Sequence, residues 1–135
     1  MKVVLDTNIY ISGLLWPKSL PGTVLELAKA EKIDVYISPF IIVEIEKVLI
    51  AKFHFEAQAT GMLVGEIVKF AKIVETEKEL KIIKDKDDNR VLECALVVKA
   101  DFLISGDKKH ILPLKQFRGI KIISAREFLN EYLEK

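Results

Sequence analysis

The sequence predicts an α/β protein with a mainly parallel sheet covered by helices on both faces. Three observations carry this reading. Short apolar runs rich in β-branched residues recur at 3–5, 35–38, 102–105 and 120–123, and each has the length and composition of a buried strand. Between most of them lie stretches with 3.6-residue apolar periodicity, and strands separated by helices pair in parallel and bury both faces. Half of the 135 residues are hydrophobic and 30% are charged, which suits a packed core and argues against disorder. One domain spanning residues 1–135 is expected at this length.

The elements follow in order. Strand 3–5 runs directly into Asp6, Thr7 and Asn8. Thr7 is expected to cap a helix whose face carries Ile9, Tyr10, Gly13 and Leu14, closed by Trp16-Pro17. Pro21 suits the first turn of a second helix with Val24, Leu25, Leu27 and Ala28 inward. After strand 35–38, Ser38-Pro39 opens a third helix striped by Ile41, Ile42, Ile45, Val48 and Leu49. Phe53-His54-Phe55 breaks the chain before a fourth helix over 56–71, and Ile73-Val74 is the candidate third strand. The acidic turn Asp85-Lys86-Asp87-Asp88-Asn89 then leads into a helix from Asp88 to about Lys99. Strand 102–105 ends at Gly106-Asp107, and after strand 120–123 Ser124 caps a last helix through Phe128, Leu129 and Leu133. Strand order and the stretch 73–83 stay open.

Bulk properties narrow the function. The net charge is only +1, so nucleic-acid binding would rest on a local basic patch. Cys94 is the single cysteine, which rules out an internal disulfide and a cysteine-based zinc site. No apolar run approaches the roughly 18 residues of a membrane span, and Asp6 arrives too early for a signal peptide. A cytoplasmic protein with no membrane partner is expected.

Four acids stand where a parallel sheet would gather them. Asp6 and Asp107 each follow a strand, Glu44 sits early in the helix after a strand, and Asp88 opens a helix. In open parallel sheets that edge is where ligands bind. Two carboxylates about 4 Å apart repel by roughly 1 kcal/mol in water and about 4 at an effective dielectric of 20. A divalent cation is the simplest relief at neutral pH, and oxygen donors favour Mg²⁺ or Mn²⁺. Such an ion can polarise a phosphoryl oxygen and acidify a bound water, which points to phosphodiester hydrolysis. Each acid also has a plainer explanation. Asp88 suits a helix N-terminus, Glu44 an exposed pair with Lys47, and Asp107 a turn beside Gly106. Asp6 has no comparable structural task except towards Asn8, so the case rests on the set. His54 and His110 are read as loop or surface residues, Glu93 as an edge or outer acid, and Cys94 as a small core residue. Lys108, Lys109, Lys115, Arg118 and Lys121 form a solvated basic run that could hold a phosphate backbone near Asp107.

Taken together, VVLDTN, SPFIIVEIEKVL, DKDDNRVLECAL and FLISGDKKHIL resemble a PIN domain, most closely the toxin components of toxin–antitoxin pairs. The resemblance covers nearly the whole chain in the family's order. It departs from the family's GDKHL-like run by one extra residue, Lys109. It implies a three-layer α/β/α sandwich and metal-dependent cleavage of RNA, with Asp6, Glu44, Asp88 and Asp107 catalytic and holding one or two Mg²⁺ or Mn²⁺ ions. Asn8 and Ser105 would orient those carboxylates by hydrogen bonds, and Arg90, Lys108 and Lys109 would steady the RNA backbone. Homodimerisation and silencing by an antitoxin protein are further implications; the apolar content of the helices between residues 21 and 71 makes them the candidate dimer surface.

Other readings remain. A haloacid-dehalogenase-like phosphatase needs an Asp where Asn8 stands, and a receiver-like module needs an adjacent acidic pair near the first strand. An RNA-processing nuclease outside a toxin–antitoxin pair, or a non-catalytic RNA-binding or scaffold protein, would share the same fold.

Overall fold

The computed structural model describes residues 1–77, 80–83 and 86–133, without the Lys86 side chain. The elements are β1 (Lys2–Leu5), α1 (Thr7–Leu15), α2 (Leu20–Lys29), β2 (Asp34–Ile37), α3 (Pro39–Ala51), α4 (Ala57–Phe70), β3 (Ala71–Ile73), α5 (Lys86–Val98), β4 (Phe102–Ile104), β5 (Gln116–Phe117), β6 (Ile120–Ile123) and α6 (Ala125–Leu133). The strands form one sheet in the order β3-β2-β1-β4-β6-β5. All pairs are parallel except β5 with β6.

Burial along the central strands explains the layering. Val3, Val4 and Leu5 of β1 and Phe102, Leu103 and Ile104 of β4 are all buried. Successive strand residues point to opposite faces, so both faces of the sheet are covered. This is the α/β/α sandwich that the motifs imply. Among the packed layers, α5 lies against β1, β2 and β4, while α2 meets α1, α4 and α6.

Strand order also says where a ligand should sit. From β1 the chain steps outward to β2 and β3, then returns through α5 to β4 on the other side of β1. The direction of winding reverses between β1 and β4, and loops leaving their carboxyl ends diverge there. Register places the ends side by side, with Leu5 opposite Ile104 and the Asp6 N–H donating to the Ile104 carbonyl at 2.9 Å.

Several boundaries differ from the expectation for physical reasons. Asp6, rather than Thr7, is the N-cap of α1, because its own carboxylate accepts the Thr7 N–H. The helix expected from Asp88 begins at Lys86, and Asp85 of the acidic turn lies outside the described residues. The third strand covers Ala71–Ile73 and starts directly after α4. The hairpin of β5 and β6 was not anticipated. Arg118 (φ 48°) and Gly119 (φ 86°) make its two-residue turn, a left-handed pair that Asn-Gly or Asp-Gly would have announced. The other caps form as expected. Ser38 Oγ accepts the Ile41 N–H, and Ser124 with Glu127 closes a reciprocal capping box at the start of α6. Among the described residues no helix is long and apolar enough to cross a membrane.

Candidate active site

Asp6 leaves β1 at the switch point and is nearly buried, with 5% of its surface exposed. Both its oxygens are held. Oδ1 accepts the Thr7 N–H at 2.7 Å and Oδ2 accepts the Ser105 hydroxyl at 2.7 Å. Ser105 is fully buried at the end of β4, and its Oγ also accepts the Asp107 N–H at 3.0 Å. One hydroxyl therefore ties the loop after β4 to the carboxylate after β1. Burial raises the Asp6 pKa above its ordinary value of 3.8; the bonds from Ser105 and Thr7 oppose this, and the charges of Asp107 and Glu44 add to it.

The other acids arrive from different elements. Glu44 comes from the second turn of α3, Asp87 and Asp88 from the first turn of α5, and Asp107 from the loop after β4. Together with Asp6, Thr7, Asn8 and Val48 they line one open cleft of about 120 Å³, room for an ion and several waters. The structure thus brings all four sequence-predicted acids to one place. The cleft adds a fifth, Asp87, which the sequence offered only as part of a turn.

Asp107 is anchored by its own loop. Its Oδ1 accepts the backbone N–H groups of Lys109 (2.9 Å) and His110 (3.2 Å), and its carbonyl accepts the Leu112 N–H at 2.9 Å. This Asx-type turn swings His110 back over the acids. His110 Nδ1 lies 3.6 Å from Asp88 Oδ2 and 3.6 Å from Asp107 Oδ2. Asp88, Asp107 and His110 each offer a donor atom within 4.8 Å of the others, a spread that could hold a metal ion. His110 is the exposed loop residue that the sequence suggested, and the turn also brings its ring within reach of two of the acids. His54 stays exposed in the connection between α3 and α4.

The remaining candidates separate by what they touch. Asn8 is exposed at the rim, and among the described residues no hydrogen bond joins its amide to a carboxylate. Lys108 and Lys109 are exposed beside the cleft. Arg90 is largely turned inward: its guanidinium donates to the Leu80 carbonyl at 3.1 Å, pairs with Glu93 at 2.7 Å and lies over the Phe40 ring. Those contacts give it a structural task in place of an open surface for a phosphate.

Glu93 and Asn89 explain much of the DDNRVLECA motif. Asn89 Oδ1 accepts the N–H groups of Ile82 (3.0 Å) and Ile83 (2.8 Å), and its amide donates to the Ile83 carbonyl at 2.6 Å. Glu93, one turn on along the same helix face, accepts the Leu80 N–H at 2.6 Å. Both are buried. These side chains substitute for sheet pairing in segment 80–83 and tie it to the helix that carries Asp87 and Asp88. The only sequence cue was the four-residue spacing of Asn89 and Glu93, and Glu93 was read as an outer acid.

With the fold and cleft described, comparison with known proteins identifies the class. The PIN domain family matches residues 2–109. The chain is 32% identical to the uncharacterized protein MJ1680 of Methanocaldococcus jannaschii, over 98% of this chain and 92% of that protein. Its fold is similar to a chain in the crystal structure of VapBC2 from Rickettsia felis bound to a DNA fragment from their promoter. That match has a TM-score of 0.67 at 16% identity and covers 92% of this chain and 98% of the other. The chain belongs to the PIN domain family, whose members are generally nucleases, and its cleft carries an acidic group that could hold a metal ion.

Proposed function

We propose that the protein is a metal-dependent endoribonuclease, acting as one domain through the whole chain. The observation that carries this is the convergence of Asp6, Glu44, Asp88 and Asp107 in one cleft at the β1/β4 switch point. So many carboxylates would repel the phosphates of RNA as well as each other, and a divalent cation resolves both problems. The donor set fits Mg²⁺ or Mn²⁺, because every sequence-predicted ligand is a carboxylate oxygen.

Asp88, Asp107 and Glu44 would hold one or two ions directly. Asp6, tied by Ser105 and Thr7, presents a fixed negative wall and keeps Asp107 in register. A bound cation supplies Lewis-acid stabilisation of developing phosphoryl charge and lowers the pKa of water. Lys108 and Lys109 stand where they can neutralise flanking phosphates and position the chain for cleavage. RNA is the substrate favoured by the motif resemblance.

The same resemblance supports a role as the toxin of a toxin–antitoxin pair, with a cognate antitoxin protein as partner. A homodimer agrees with the exposed Phe40, Val43 and Ile50 on α3 and Met62 on α4. RNA processing outside such a pair would use the identical site. A non-catalytic RNA-binding protein would show salt-dependent binding without turnover.

The test is cleavage of a mixed-sequence single-stranded RNA pool by the parent and by Asp88→Asn, with Mn²⁺, with Mg²⁺ and with chelator. Metal-dependent products from the parent, reduced at least about 100-fold in the variant, are the expected result. Equal cleavage by Asp88→Asn would refute the site assignment. Binding with no turnover in any metal would favour the scaffold reading.

A further inference from the structure

The acids of the cleft account for a hard, all-oxygen site, but they do not account for His110. Its backbone is pinned by Asp107 Oδ1, which accepts both the Lys109 and His110 N–H groups. Its ring is thereby held over the cleft mouth with Nδ1 at 3.6 Å from one oxygen each of Asp88 and Asp107. That spacing is too long for a hydrogen bond to either oxygen, though within ion-pair reach of both. It is the spacing of neighbouring donors around a shared ion: donors each roughly 2.1 Å from one centre stand about 3 to 4.2 Å apart. The three donor atoms also lie within 4.8 Å of one another.

We infer that His110 Nδ1 is a nitrogen ligand completing the cation site with Asp88 and Asp107, so that the cleft selects a divalent first-row transition ion over Mg²⁺. This rests on the reading of the cleft as a cation site. The chemistry is that of the donor set. Mg²⁺ demands oxygen donors and keeps its waters, whereas imidazole raises affinity for transition ions. Asp107 Oδ2 and Asp88 Oδ2 face the ring, so one histidine converts an all-oxygen rim into a mixed nitrogen and oxygen triad. The extra lysine of the DKKH run places the histidine three residues after Asp107, where the Asx-type turn brings the chain back over the acids.

Mn²⁺ is the probe, because it is paramagnetic and stands lowest in transition-ion affinity, which makes it the strictest member of its series to test. The parent, His110→Gln and His54→Gln proteins would be loaded with Mn²⁺ and measured by electron spin-echo envelope modulation, with Mn²⁺ and Mg²⁺ affinities from titration calorimetry. The chain has only two histidines, so a directly bonded imidazole nitrogen has only two sources. Expected is a nitrogen modulation in the parent and His54→Gln that disappears in His110→Gln. Mn²⁺ affinity should fall about tenfold or more in that variant while Mg²⁺ affinity changes less than about threefold. Mn²⁺ bound in the parent cleft without nitrogen modulation, or with modulation retained in His110→Gln, overturns the assignment of His110 and leaves the carboxylate site standing. Absence of any Mn²⁺ or Mg²⁺ binding by the parent overturns both. His110 is exposed, and matching melting curves of parent and His110→Gln without metal would confirm that the variant folds.

Discussion

Asp6 shows how one residue serves fold and site together. It caps α1, receives the Ser105 hydroxyl and sits nearly buried at the end of β1. Burial raises its pKa in the folded chain above the value of 3.8 it would have when unfolded, with Asp107 and Glu44 contributing. A carboxyl with a raised folded pKa stabilises the fold below its unfolded pKa, and that contribution is lost as pH rises through the folded value. Without metal, Asp6→Asn should therefore melt higher than the parent at pH 7, and the difference should shrink as pH falls towards 4. Thermal melts in chelator across that range check this; a variant that melts lower at pH 7 would show that the charged Asp6 is stabilising. Reading Asp6 as a carboxylate without a cap to serve was wrong in one respect, because the residue makes the cap itself. Asp is among the preferred N-cap residues, so position 6 was as good a cap candidate as Thr7.

At the scale of elements, the first turn of α5 is the part of the site most dependent on its surroundings. Asn89 and Glu93, on the helix that carries Asp87 and Asp88, bind the backbone of residues 80–83. Asn89→Ala leaves the buried backbone groups of Ile83 and the part-buried N–H of Ile82 without that partner and should cost roughly 2 kcal/mol, seen as a lower denaturation midpoint. Amide exchange at Ile82 and Ile83 should accelerate before that of β1 or β4; uniform acceleration would contradict a local clasp. The elements that carry the four acids were legible because each acid follows an apolar run or opens a periodic one. His110 was not, since an Asx-type turn over Asp107 decides where its ring points. Segment 80–83 has neither periodicity, because its backbone is satisfied by side chains of α5. The β5–β6 hairpin was hidden by Arg118, a side chain unusual at positive φ.

For the whole molecule, topology and charge act together. The return crossover from β3 to β4 gathers carboxylates from β1, α3, α5 and the loop after β4 into a single cleft, in a chain whose net charge is only +1. The order of elements along the chain was open to sequence reasoning, whereas the crevice needed the strand order that only the fold supplies. A cation bound only by the folded state adds about 2.7 kcal/mol of stability at a hundred times its dissociation constant. The melting temperature should rise with Mn²⁺ or Mg²⁺ and return to its starting value on adding chelator. Asp107→Asn should lose most of this rise; an undiminished rise would place the ion elsewhere. The most direct measurement is anomalous diffraction from crystals grown with saturating Mn²⁺. The expected result is a peak inside the cleft, within coordinating distance of oxygens from Asp88, Asp107 and Glu44 and facing Asp6. An empty cleft under those conditions, or a peak only among other residues, would contradict the four-carboxylate centre.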